Sequence, residues 1–174
     1  MELETFVEPV RLAGMTRFVL CQYAFEFDIP RRLVCDDSGR ICAFSTLEAA
    51  FTYAMNRGLA LSDYPPGVDP THDLDAVAAW TARPTADTLD HALLTDAWRF
   101  LQYARLLPGM YAEGLEPKLE SVVWQLDATE LATIDPKNAH LAPKWTEDEL
   151  TVLATTLRRG IEDFAALMTS PAAV

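Results

Sequence analysis

A change of hydrophobic period near Ser45 constrains this chain more than any other feature of its sequence. Upstream, in TRFVLCQYAFEF, Val19, Cys21, Tyr23, Phe25 and Phe27 make one apolar face while Gln22 and Glu26 fall on the other. That two-residue period is the pattern of a half-buried strand. Downstream, Leu47, Ala50, Phe51, Ala54 and Met55 recur at helical spacing. Ser45 and Glu48 stand as a capping box in front of them, and Arg57-Gly58 supplies the stop. A chain that switches period in this way is α+β, with the helix laid across an apolar sheet face.

The segment CDDSGRIC, Cys35 to Cys42, lies between those two patterns. Asp36, Asp37 and Gly39 are turn residues, so RRLVCD and RICAF are expected to form a hairpin. A two-residue turn sets Cys35 opposite Cys42; a longer, bulged turn makes them diagonal neighbours. Their spacing, with Cys21 as the third thiol, shows no C-x-x-C knuckle, so a metal site is not expected and the thiols read as structural. The expected sheet is small, antiparallel and three-stranded, over about 17–27, 31–36 and 40–44, with the 46–57 helix packed on it. Residues 1–14, where Pro9 interrupts ETFVEPV, read as an edge strand or a loose arm.

Beyond LALSDYPPGVDPTH (residues 59–72) the pattern is helical. Asp73 is placed to cap a short helix, and a longer one is expected over about 86–107, stopped by Pro108-Gly109. Residues 119–126 read as helix, with SVVWQL as a competing strand. A second capping box, Thr146 to Glu149, opens a strongly amphipathic helix over 146–168, where Gly160 leaves room for a close neighbour. The whole 1–174 is expected to be one domain, built from a 15–58 strand-hairpin-helix unit and a helical part over 73–168.

Charge limits the partners. The formal net charge of −12 over 174 residues disfavours a phosphate backbone or an anionic membrane and favours a basic protein partner. No run reaches the roughly 18 apolar residues of a membrane span. The acidic N-terminus lacks a signal-peptide pattern, and three cysteines suit a reducing compartment, so a cytoplasmic location is expected.

Candidate site residues are few. The stiff loop presents Asp63, Tyr64 and Asp69, with Asp73 and Asp75 beyond it. An aromatic on a pre-ordered proline turn beside acids would suit a basic partner. For acid–base chemistry the sequence offers His72 with Asp73 and Asp75, or His91 with Asp87, near Asp90, Thr95 and Asp96. His140 stands alone in a Pro-flanked loop. Arg17, Arg31, Arg32 and Arg40 fall on the expected sheet, where they could balance carboxylates or receive an anion. No nucleophile motif or phosphate loop is present, and no cofactor is expected. The function expected from these features is an acidic protein-binding module, of inhibitor or immunity type, docking on a basic protein. Its alternatives are a homo-oligomeric or chaperone-like protein, a homodimer through helix 146–168, and an enzyme using a His/Asp pair.

Overall fold

The computed structural model describes residues 3–23, 31–63, 72–108, 113–134, 137 and 144–170. The chain is α+β; among the described residues its sheet is mixed and has six strands rather than the expected antiparallel three. Its first hairpin joins β1 (Glu4–Leu12) to β2 (Met15–Tyr23) in the register Glu4↔Tyr23 to Leu12↔Met15. Ala13 and Gly14 make the two-residue turn with φ of 54° and 72°, the doubly left-handed geometry that suits the right-handed twist of hairpin strands.

The 1–14 segment is therefore a full strand, and Pro9 does not prevent it. The N–H and C=O of Thr5 point away from β2, to Ala60 O at 2.7 Å and Ser62 N at 2.9 Å. By the two-residue period the nitrogen of Pro9 faces that same side, so its missing donor costs the β1–β2 ladder nothing.

The expected second and third strands exist, but they pair with each other only next to their turn, through the Cys35↔Ile41 bridge. β3 (Arg32–Leu33) and β4 (Ile41–Phe44) both run antiparallel along the same edge of β2, one after the other. Between them the chain loops out through the tight turn at 36–40, where Asp36 N–H donates to Arg40 O at 2.8 Å and Gly39 has φ 81°. Asp36 Oδ1 accepts from the Ser38 and Arg40 amides at 2.8 and 3.0 Å, which is why this turn needs that aspartate. Two parallel additions complete the sheet. β5 (His72–Asp73) joins β1 and β6 (Met168–Thr169) joins β4, giving the order β5-β1-β2-β4-β6.

Each face of the sheet carries its own core. On one side Val7, Leu20, Cys42 and Phe44 pack on Ala50, Tyr53 and Ala54 of α1 (Leu47–Asn56). The cap of this helix is Thr46, whose hydroxyl accepts from Ala49 N at 3.2 Å; the box expected from Ser45 and Glu48 is replaced by this single cap, since Ala49 has no polar side chain to return the bond. On the other side Val10, Val19, Cys21 and Ile41 meet four helices: α2 (Leu74–Ala82), α3 (His91–Tyr103), α4 (Pro117–Ile134) and α5 (Glu147–Leu167). Trp98, Phe100, Leu126, Leu153, Leu157 and Phe164 fill that larger core.

The helix expected over 86–107 is shorter because Leu89 turns extended after a short 3₁₀ segment, Ala86–Thr88. Asp90 then caps α3 by accepting from Leu93 N at 3.0 Å. Residues 119–126 are helical, not strand. The Thr146–Glu149 capping box is present, and Glu149 also takes a hydrogen bond from Ser121 Oγ at 2.5 Å, tying α5 to α4. Gly160 lies where a Cβ would meet Leu101 and Leu107 at 3.1 Å, a close approach of α5 to α3 and the turn beyond it. No helix among the described residues is long and apolar enough to cross a membrane.

Candidate functional site

The sheet and α3 converge on one buried ionisable group. His72 opens β5 beside Val10 of β1. Glu8, two residues before Val10, projects from the same face of β1, and α3 crosses above with Asp96 and Phe100 one turn apart. His72 is 5% exposed. Its Nδ1 donates to Asp96 Oδ2 at 2.7 Å, its Nε2 to Glu8 Oε2 at 3.1 Å, and its ring stacks on Phe100 with centroids 4.3 Å apart.

Burial works against a charged ring, but the hydrogen bonds and negative charge of Asp96 and Glu8 outweigh it and push the pKa up to about 9. The ring is an imidazolium at neutral pH, with both nitrogens committed as donors. An imidazole in that state has no lone pair for a proton or a metal. The triad can lock β1, β5 and α3 together; it is not arranged to act as a base.

The other expected residues have separate roles. Asp73 caps α2 by accepting from Ala76 N at 2.9 Å. Asp75 accepts from Ala13 N and Gly14 N at 2.6 and 2.8 Å, holding the β1–β2 turn, and lies 3.7 Å from Arg11 Nε. Neither carboxylate reaches His72 in its hydrogen-bonded shell. Asp63 is exposed, while Tyr64, Asp69 and His140 lie outside the described residues, as do Phe25, Phe27 and Gly109. His91 opens α3 beside Trp145, ring centroids 6.1 Å apart; burial pushes its pKa down and Asp90, not Asp87, opposes that. Asp96, expected near His91, belongs to His72.

The bulged turn pairs Cys35 with Ile41 and sets Cys42 N–H on Val34 O at 3.0 Å, so the two thiols fall on opposite faces of the sheet. Cys42 Sγ donates to the Tyr53 hydroxyl at 3.5 Å, and Cys35 is exposed. Burial pushes the Cys21 thiol up to about 12. The four arginines are dispersed. Arg40 donates to the carbonyls of Ala166 and Met168 at 3.2 and 3.0 Å, closing the end of α5. Arg31 lies over the rings of Tyr23 and Tyr103, Arg32 donates to Gln22, and Arg17 faces Met15.

Two features escaped sequence reasoning. Glu8 sits in the apolar register of Phe6, Val10 and Leu12, and an acid there demands a buried partner; that was the available signal. The second is Trp124, 61% exposed on α4. Glu120 lies four residues before it and Asp127 three after, on the same helix face, with Glu116 one further turn back. Among the described residues no ion pair ties up Glu116, Glu120 or Asp127, whereas Lys118 is held by Asp148 at 2.7 Å. No family model, curated protein or solved structure matches the chain.

Proposed function

We propose that this protein is an acidic protein-binding module that docks on a basic protein through α4. The observation that carries this reading is the exposed indole of Trp124 set between Glu120 and Asp127. Large aromatics are normally covered, and a Trp at the centre of a polar rim is the residue type that dominates binding energy at interfaces. Its ring offers a face for arginine or lysine, and the flanking carboxylates supply charge complementarity. The net charge of −12 raises the encounter rate with such a partner.

Homo-oligomerisation through α5 finds less support. Its apolar stripe, Leu150, Leu153, Leu157, Ile161 and Phe164, is buried in the core of the same chain. The enzyme reading loses its best histidine to the charge lock.

The test is affinity capture from the native host with the wild type, Trp124→Ala and a Glu120→Gln/Asp127→Asn double variant, at low and high salt. One basic protein retained by the wild type at low salt, and lost with either variant, supports the reading. Equal retention by all three, or recovery of the bait alone as a dimer, overturns it.

A further inference from the structure

In a chain of net charge −12, one groove is lined by two arginines that no ion pair neutralises among the described residues. It encloses about 360 Å³ between the β3–β4 loop-out and the end of α3, with Gln22, Arg32 and Cys35 on one side and Tyr103 and Arg105 on the other. Leu33 and Ile41 add apolar lining. Neither Arg32 nor Arg105 forms an ion pair among the described residues; Arg32 donates only to the amide oxygen of Gln22, at 3.2 Å. A third guanidinium, that of Arg31, lies 5.3 Å from the Tyr103 ring centroid. The carboxylate of Asp36, beside Cys35, is turned to the Ser38 and Arg40 amides, and that of Glu8, whose charge reaches Tyr103, accepts from His72.

The backbone at Arg105 strengthens the case. Leu106 N–H donates to Leu101 O at 3.0 Å and Arg105 N–H to Gln102 O at 2.9 Å, the paired bonds of a Schellman helix end. The position between them requires a left-handed residue and is ordinarily glycine; here it is Arg105 at φ 59°. A side chain kept where it strains the backbone is a pointer to use.

We propose that this groove binds a small organic anion, a carboxylate on a short apolar body, with Arg32 and Arg105 on the carboxylate and Tyr103, Leu33 and Ile41 against the body. Guanidinium forks match carboxylate geometry and carry more of the affinity than a point charge would. The volume suits a ligand of that size.

The test uses hexanoate as the probe, with hexanol and inorganic phosphate as controls, followed by amide NMR shifts of Val34, Cys35, Ala104 and Arg105. Saturable shifts with hexanoate, absent with hexanol and weak with phosphate, are expected. Arg32→Gln should weaken the affinity by about tenfold or more. Arg105→Gly should abolish binding while raising Tm by about 3 °C, since glycine relieves the left-handed strain. That gain separates a lost site from a lost fold. Cys35 gives a second readout: alkylation by iodoacetate should outpace that by iodoacetamide, relative to free cysteine, by about fivefold at low salt, and Arg105→Gly should remove the preference. Shifts that persist in both variants, equal binding of hexanol, stronger binding of phosphate than of hexanoate, or no reagent preference at Cys35 overturn the proposal.

Discussion

Raising the pH is the sharpest perturbation of the Glu8–His72–Asp96 lock. The imidazole titrates near 6.5 when free and at about 9 in the folded chain, so folding strengthens its proton binding by about 3 kcal/mol. The sign follows from which state keeps the proton. Below about pH 6.5 both states are protonated and the stabilisation is complete; between there and about 9 only the folded state holds it. Unfolding free energy should therefore fall by about 1.4 kcal/mol per pH unit across that window and level off above it. Urea unfolding from pH 6 to 10, followed by circular dichroism, measures the slope directly. Thiols exposed on unfolding begin to ionise at the upper end of the range, so the comparison with His72→Gln isolates the histidine. That variant leaves two carboxylates with a single neutral partner and should cost about 3 kcal/mol near pH 6, a deficit that shrinks toward pH 10. Parallel curves for wild type and variant across the window would refute the charge lock.

Other changes separate scaffold from surface. Trp124→Ala should leave stability within about 0.5 kcal/mol, because the ring is 61% exposed, while removing partner capture. Ala13→Asn places a residue tolerant of φ 54° in the first hairpin turn and should stabilise by about 0.5–1 kcal/mol, read as a rise in the urea midpoint. Burial opposes charge on Glu149, but hydrogen bonds from Ser121 and Thr146 outweigh it and bring its pKa down to about 2. Its contribution is then present above about pH 4.5 and lost as the pH falls toward 2, so acid unfolding should begin at higher pH in Ser121→Ala.

How far the sequence revealed this molecule depends on where the determining interactions are local. Helices α1, α2, α4 and α5 were visible because period and caps are written within a few residues, as at Thr146 and Glu149. The Cys35–Cys42 turn was visible for the same reason. The segments of β2, β3 and β4 were visible too, but the sheet's full order was not, since it depends on pairings between distant segments: His72 with Val10, Met168 with Ile41. β1 was obscured by Pro9, whose compatibility depends on which edge its nitrogen faces, and by the turn at Ala13-Gly14, which lacks the usual Asn-Gly signal and takes its support from Asp75 in α2. The histidine cluster failed in the same way. Asp73 and Asp75 are its sequence neighbours, yet its partners stand 64 and 24 residues away. The period of residues 119–126 places Trp124 on a helix, but period alone does not show that its face is left uncovered.

Whether His72 is a fixed cation or a working base is decided most directly by ¹⁵N NMR of its ring at about pH 7.5, well above the ordinary histidine range. Protonated resonances for both Nδ1 and Nε2, coupled to slowly exchanging hydrogens and titrating only near 9, are the expected result. One bare nitrogen at that pH, with a midpoint near 6.5, would contradict it and return the cluster to the list of candidate catalytic groups.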